Sequence, residues 1–589
     1  MDIKSYLKMR NEAQNKLSKG LSYGFASAVL WEITEKSVNE IGLDKILEIS
    51  KKIIEIEPYN LSDKEKEQLL SILNEFDKVI GSRVALLSAD TDKVKSYVFE
   101  SPRLPEMRGA SLILEELNNR DLIKNILEEY KLPEDCIIYS SGGSILMFIP
   151  ESLQTEIKKH IEKQYLEKTA TAMITVVSQV FTYSQFCFGL NVSAKNPIGF
   201  GELVDFLAYE LKKAKQEKKY VPFFETIPFA YHCESCGIRP VSYKIDGKHF
   251  CHSCYTKRTE GKKGRSYLIK KFQESSDEYV KQFGKCYAPD DLNDIGEISD
   301  GYIGLIYADG NNVGRSISQL HTCKKYKQFT EDMLEATSSK VCYEFARNKL
   351  VSKDCKLVAE LLCGLESDDV IAIVPGKYAL QLAINICKAF TESMSPYNIK
   401  MSAGVLIAPH NYPVYYLEEV CKQLLKSAKK GFRNVESEST IDFWVITSQD
   451  VIVSDLKDYR KQFMEKILNE RNPRSDRLAF YERPYTIDKL QCLLNWIREF
   501  HKRNFPKNQL YGLRESLEEG RMQASLYYLY QRSRMSKENR ELMDRFISDL
   551  NLNNGDLFPW RKTEKPSLYT VYSTPIVDLL EIYDFAEEV

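Results

Sequence analysis

"AELLCGLESDDVIAIVP", residues 359–375, sets Glu366, Ser367, Asp368 and Asp369 between two apolar runs. Each apolar run has the length of a strand, so the stretch reads as a buried hairpin with an acidic turn. Adjacent carboxylates repel one another, and burying them is costly unless cations or donors compensate. An isolated Asp-Asp pair is ordinarily a solvated turn, so the residues around this one decide how it is read.

Working outward, "YIGLIYADGNNVG" (302–314) is an apolar strand ending in Ala308-Asp309. A helix over 329–349, the hairpin around 364–369, the helix "YALQLAINICKAF", the strand "IKMSAGVLIA" and the helix "YYLEEVCKQLLKSAKK" follow. The same order occurs upstream. "RVALLSAD" (83–90) ends in Ala89-Asp90, and the helix "PEMRGASLILEELNN" comes next. "CIIYSSGGSILMFIP" (136–150) then folds around Gly142-Gly143, ahead of a charged helix (151–166), the strand "TAMITVVSQVFTY" and the helix "GELVDFLAYELKKAKQ". A βαββαβ-like order suits an antiparallel sheet with helices on one face, and two copies of one domain account for the repeat.

Between the copies, Cys233, Cys236, Cys251 and Cys254 form C-x2-C-x14-C-x2-C. Each Cys-x-x-Cys turn aims two thiolates at one ion, and four complete a closed tetrahedral Zn2+ site with a structural role. His232, His249 and His252 lie nearby as alternative ligands. The basic tail "KRTEGKKGRSYLIKK" reads as a solvated loop or as an RNA contact.

The flanks are helical. Residues 1–80 carry apolar residues at three- and four-residue spacing, with Ser62 and Glu65 marking an N-cap. Residues 449–589 are helical and charged; Tyr511, Tyr527, Tyr528 and Tyr530 beside Arg514, Arg521 and Arg532 suggest either core aromatics or base stacking, and helical spacing favours core. The expected boundaries are 1–80, 81–222, 223–275, 276–448 and 449–589, in an α+β chain.

At 589 residues and 43% hydrophobic content the chain can hold several packed cores. A net charge of −2 argues against a protein wrapped over long nucleic-acid backbones, although local basic patches stay open. No signal-peptide or membrane-length apolar run occurs, and only four of the fourteen cysteines cluster. Reduced thiols and a cytoplasmic setting are the expectation.

The acidic hairpin now has a companion. In the expected sheet the strand ending in Asp309 lies beside the hairpin, bringing Asp309 to Asp368 and Asp369. Three converging carboxylates suit one or two Mg2+ or Mn2+ ions, which would remove the like-charge penalty. Two such ions suit nucleotidyl transfer, one activating a 3′-hydroxyl and the other neutralising pyrophosphate. The turn Gly310-Asn311-Asn312-Val313-Gly314 offers backbone amides to a triphosphate, and Lys429 in "SAKKGFRN" offers a point charge.

"SADTDKVKSYVFESPRLPEMRGASLILEELN" resembles the first palm domain of the large polymerase-like subunit of type III CRISPR effector complexes. The cysteine module and "YADGNNVG…ESDDVIAIVP" resemble that subunit's zinc insert and catalytic second palm, so the resemblance spans roughly residues 83–445. The second palm is also similar to GGDEF diguanylate cyclases, whose Ala-Lys signature matches Ala428-Lys429. The resemblance implies two ferredoxin-like palms flanking a zinc ribbon, with a helical C-terminal domain. It further implies two bound ATP molecules, cyclic oligoadenylate as an antiviral signal, and guide or target RNA and CRISPR subunits as partners. By position, Asp309, Asp368 and Asp369 become the catalytic metal ligands, and Ser367 lies beside them. Ser140, Gly142, Gly143, Ser144 and Arg108 hold the second nucleotide in a first palm whose hairpin has no acids.

Three departures from the family pattern stand out. Glu366 and Ser367 occupy the positions of the family's Gly-Gly, where side chains limit close backbone approach. No His-Asp pair occurs, so the nuclease activity of many relatives is not expected. The chain is also short for a full effector subunit, which leaves open a stand-alone synthase. The rival expectation is a nucleotide-binding or RNA-scaffolding subunit with a weak or dead palm. Retention of Asp309, Asp368 and Lys429 together favours catalysis.

Overall fold

A computed structural model describes residues 3–118, 120–194, 197–218, 231–245, 247–263, 266–348, 350–362, 368–435, 438–447, 455–468, 476–550, 552, 558–564 and 570–586. Glu366 and Ser367 lie outside the described residues. The chain divides into two compact units. The first comprises Met1–Tyr267, Asn312–Ser339 and Leu362–Asp369; the second comprises Leu268–Asn311, Lys340–Leu361 and Val370–Val589.

In the first unit, β1 (Val84–Asp92), β2 (Ile137–Ser141), β3 (Ser144–Pro150) and β4 (Met173–Val180) form an antiparallel sheet of order β2-β3-β1-β4. Gly142 (φ 57°) and Gly143 (φ 84°) make the two-residue turn between β2 and β3. Both central residues of such a hairpin turn need positive φ, which glycine adopts without steric cost. The helices Gln154–Thr169 and Phe200–Glu217 pack against β4. The N-terminal helices join this core: Phe25, from the helix Leu21–Glu32, meets Phe148 of β3 edge to face at 5.1 Å. That geometry is favoured by the ring quadrupoles.

The four cysteines belong to the same unit. β5 (Tyr243–Ile245) and β6 (Lys248–Phe250) form an antiparallel hairpin, and Cys251 caps the helix His252–Lys262. That helix crosses Leu104–Asn118 at two glycines. A Cβ on Gly109 would lie 1.7 Å from Lys257 O, and one on Gly261 would lie 1.7 Å from Pro105 O. Only hydrogen fits at this crossing. The basic tail accordingly differs from a solvated loop: residues 257–262 continue this helix, and the first two are paired. Lys257 is fully buried, bonding Glu100 Oε2 (2.9 Å) and Tyr97 O (2.7 Å), and Arg258 pairs with Glu106 at 2.9 Å.

The second unit is built on β7 (Tyr302–Asn311), β8 (Glu360–Leu362), β9 (Asp369–Pro375), β10 (Lys400–Pro409) and β11 (Thr440–Val445). Further along come β12 (Glu465–Ile467), β13 (Arg477–Ala479), β14 (Tyr485–Thr486), β15 (Arg561–Glu564) and β16 (Thr570–Ser573). The main sheet has the order β14-β11-β10-β7-β9-β8. Its β8-β9-β7-β10 part repeats the strand order of the first sheet, and β11 extends it in parallel beside β10. Helices Gly376–Ser393 and Val414–Val435 pack on β7 and β10. Val370 to Val374 are all buried, as the apolar run requires.

The C-terminal region is not wholly helical. Four helices, Ile487–Lys502, Lys507–Glu519, Arg521–Arg534 and Lys537–Asp549, accompany a small sheet of order β12-β13-β16-β15. Within this region, expected to be helical, the helix Leu456–Phe463 gives way to β12, which pairs antiparallel with β13. The three-residue β13 completes its ladder with the distant β16, so tertiary pairing overrides the local helical pattern. Tyr528 is buried in this region, whereas Tyr530 is 54% exposed.

Candidate active site

Asp309 stands near the end of β7, and Asp369 opens β9, the neighbouring strand of the same sheet. Carboxylate oxygens of Asp309, Asp368 and Asp369 lie within 4.8 Å of one another. Asp369 is buried, and the other two are half-buried. Three hard oxygen donors at this spacing can hold a metal ion, since a divalent cation offsets the repulsion that close carboxylates otherwise suffer.

Two ammonium groups also face these carboxylates. Lys429, from the helix Val414–Val435, donates to the Asp309 carboxylate and to Gly310 O at 3.2 Å. Lys95 Nζ lies 2.8 Å from Asp369 Oδ2. The sequence reading selected Lys429 and missed Lys95. Lys95 sits just beyond the first-sheet strand whose Asp90 matches Asp309, which was the available clue; nothing in local spacing connects it to Asp369.

The glycine turn after β7 is only partly on the surface. Gly310 and Asn311 are buried, and Asn311 donates to Ser402 Oγ at 2.9 Å, turning its amide into the sheet. Asn312 is exposed in the left-handed region at φ 62°, and Gly314 is exposed with open space where a side chain would lie. Those two positions, not Asn311, present the turn outward.

In the first sheet Asp90 is in register with Ser144, whose hydroxyl donates to Asp90 Oδ1 at 3.0 Å. Lys215, from the helix Phe200–Glu217, bonds the same carboxylate and Thr91 O, while Lys218 bonds Asp92 Oδ2 at 2.8 Å. Ser140 donates to Asn118 O at 2.8 Å. Arg108 stands apart from this set. It is buried in the helix that crosses the cysteine module and donates to Gly261 O at 3.4 Å, so packing accounts for its position. The expected role in holding a nucleotide does not fit that burial.

The sulfurs of Cys233, Cys236, Cys251 and Cys254 also lie within 4.8 Å of one another. Arg239 Nη1 approaches Cys236 Sγ (3.8 Å) and Cys251 Sγ (3.9 Å), and Ser235 N donates to Cys233 Sγ at 3.4 Å. Four thiolates with such donors around them can hold a metal ion, the donors offsetting the negative charge of the sulfurs. Two of the nearby histidines face elsewhere: His249 meets Glu234 at 2.9 Å and His252 meets Tyr243 at 3.2 Å. Glu100 anchors the module. Burial raises its carboxyl pKa, but Arg239 and Lys257 outweigh burial and hold it below the usual value.

The model of the Cas10/Cmr2 second palm domain matches residues 302–435, and that of Csm1 subunit domain B matches residues 84–223. No curated protein matches the chain. Among solved structures, Csm1 in T. onnurineus has 14% identity and a TM-score of 0.51, covering 86% of this chain and 70% of that one. An apo Csm1-Csm4 cassette has 14% identity and a TM-score of 0.46 over 81% of this chain and 66% of that chain. A Csm1-Csm4 cassette in complex with pppApA has 13% identity and a TM-score of 0.43 over 68% of this chain, which spans 65% of that relative's length. At these identities the Csm1 match speaks for the fold alone. Two family models, matched in sequence order before and after the four-cysteine hairpin and each to a separate sheet, support a likeness of this chain to the Cas10/Csm1 subunit.

Proposed function

We propose that the chain is a metal-dependent nucleotidyltransferase that joins ribonucleoside triphosphates into cyclic oligonucleotides as a defence signal. The observation that carries this reading is the convergence of Asp309, Asp368 and Asp369 within 4.8 Å, with Lys429 on Asp309. ATP as the substrate, and cyclic oligoadenylate as the product, rest on the palm resemblance.

In the reaction, the 3′-hydroxyl of one nucleotide gives up its proton to solvent and its oxygen bonds the α-phosphorus of the next. The bond from that phosphorus to the bridging oxygen breaks, and pyrophosphate leaves. Mg2+ or Mn2+ held by the three aspartates would supply the positive charge that favours both the alkoxide and the leaving pyrophosphate. Asp309 and Asp369 fix the ligand positions because each is anchored in a β-strand. Lys429 is available to phosphate oxygens once its hold on Asp309 is exchanged for them.

The first sheet is a binding partner in this scheme. Its Gly142-Gly143 turn, with Ser144 and Ser140 beside it, takes the second nucleotide, while its hairpin lacks the paired acids needed for a second centre. The four cysteines take Zn2+ in a closed structural site, since an all-sulfur tetrahedral set suits that ion. A Csm4-like subunit and guide or target RNA are the proposed partners.

Glu366 and Ser367 in place of Gly-Gly favour a second reading, a subunit that binds nucleotide without turnover. Incubating the purified protein with each NTP and Mg2+ or Mn2+, with and without RNA, and identifying products by mass separates the two. Pyrophosphate release with a cyclic product supports synthesis. Bound nucleotide without pyrophosphate under every condition leaves the scaffold reading.

A further inference from the structure

Lys95 lies in the short helix Val94–Val98, immediately after β1. Lys93 precedes it in the left-handed region (φ 51°), and Val94, Tyr97 and Val98 are buried, so this turn is fixed by its packing. The Lys95 side chain is 21% exposed and that of Asp369 is 1% exposed. The nearer carboxylates of the same segment already have lysines of their own, Asp90 with Lys215 and Asp92 with Lys218. Lys95 reaches past them to a carboxylate that belongs to the candidate metal set.

An ammonium 2.8 Å from Asp369 Oδ2 competes with a divalent ion for the same oxygen. Its low exposure makes that competition stronger than it would be in open solvent, because the surrounding dielectric is lower. A nucleoside triphosphate changes the balance, since its phosphate oxygens give the ammonium another anionic partner. We propose that Lys95 is a positioning residue that holds Asp369 until a triphosphate arrives, then exchanges Asp369 for phosphate and releases it to the metal. This rests on the reading of Asp309, Asp368 and Asp369 as metal ligands. The consequence is that divalent-ion affinity depends on bound nucleotide. Metal binding alone is suppressed, and metal with triphosphate is favoured.

The test measures Mn2+ binding by electron paramagnetic resonance, with and without a non-hydrolysable ATP analogue, in the full chain and in Lys95→Met and Lys95→Gln. Wild-type protein is expected to bind Mn2+ weakly alone and at least about tenfold more tightly with the analogue, the scale of a close charge contact of low exposure. Either neutral variant should tighten Mn2+ binding without the analogue and lose most of that coupling. Lys95→Arg, which keeps the charge, should restore weak binding in the absence of the analogue. Equal Mn2+ affinity in wild type and both neutral variants, with strong binding in the presence of the analogue, overturns the role of Lys95 alone. If wild-type protein binds no Mn2+ at this set even with the analogue, and Asp368→Ala changes nothing, the metal-site reading falls and takes this inference with it. Melting curves for each variant show whether the protein measured is folded.

Discussion

Lys215 Nζ lies 2.5 Å from Asp90 Oδ2, near the end of β1. Lys429 makes the same pairing with Asp309 near the end of β7. In both sheets the aspartate is on the first strand of the repeat, and the lysine is on its last helix. The internal repeat therefore extends from strand order to an individual ion pair. The hairpins differ: Ser144 stands opposite Asp90, whereas the second hairpin carries Asp368 and Asp369.

That difference predicts unequal kinetic effects. Ser144→Ala or Lys215→Met should raise KM several-fold while lowering kcat less, because ground-state and transition-state binding are lost together. Steady-state rates over a range of ATP concentrations check this. Unchanged kinetics in both variants would reduce the first sheet to a structural role.

The crossing of Gly109 and Gly261 predicts a steric effect. Gly109→Ala places a methyl against Lys257 O, a backbone atom that cannot swing away. The helices must separate, at a cost of about 1–3 kcal/mol or more. Thermal melting should show a lower Tm, with earlier metal loss from the cysteine module on heating. A Tm equal to wild type would mean that the helices do not meet as closely as described.

Lys257 gives an electrostatic prediction. It is fully buried against Glu100, so Lys257→Met leaves a buried carboxylate with Arg239 as its remaining cation. Breaking a buried pair from one side costs about 3–5 kcal/mol. The sign of the pH effect follows from Glu100, whose carboxyl pKa is lowered in the folded state. Its contribution to stability is present above the ordinary carboxylate range and is lost as pH falls through the lowered value. Removing Lys257 raises that folded-state value, so the loss begins at higher pH. Melting curves across the acid range should show Lys257→Met destabilised at a higher pH than wild type. Parallel curves would remove Glu100 from the account.

Much of this was legible in the sequence because the strands are buried apolar runs ended by carboxylates. Asp90, Asp309, Asp368 and Asp369 interrupt patterns that have a clear period, and the four cysteines have a spacing that only metal or redox chemistry explains. Lys95 and Lys257 were not legible, since a lysine's partner can come from any distant segment, and a basic run carries no mark of which member is buried. Arg108 looked available for a ligand because the helix crossing that covers it depends on two glycines far apart in the chain. The strands β12 to β16 are too short to show a two-residue alternation, and the pairing of β13 with β16 joins segments far apart in the chain.

The two proposed metal sites make opposite predictions, and one comparison separates them. Asp368→Ala removes a half-buried carboxylate from a set of like charges, so stability should be unchanged or slightly raised. Turnover should fall by several orders of magnitude, because the ligand set for the catalytic ions is incomplete. Cys236→Ser removes one sulfur from a set of four, of which Cys233, Cys251 and Cys254 are buried. In such a module metal binding energy is folding energy, so stoichiometric zinc and several degrees of Tm should be lost together, with activity damaged only indirectly. Melting curves, metal analysis and turnover of both variants make the comparison. Unfolding of Asp368→Ala, or full activity in it, would make the acidic hairpin structural. Retained zinc and Tm in Cys236→Ser would show that the three remaining sulfurs suffice, and that the four-sulfur set is not what holds the module together.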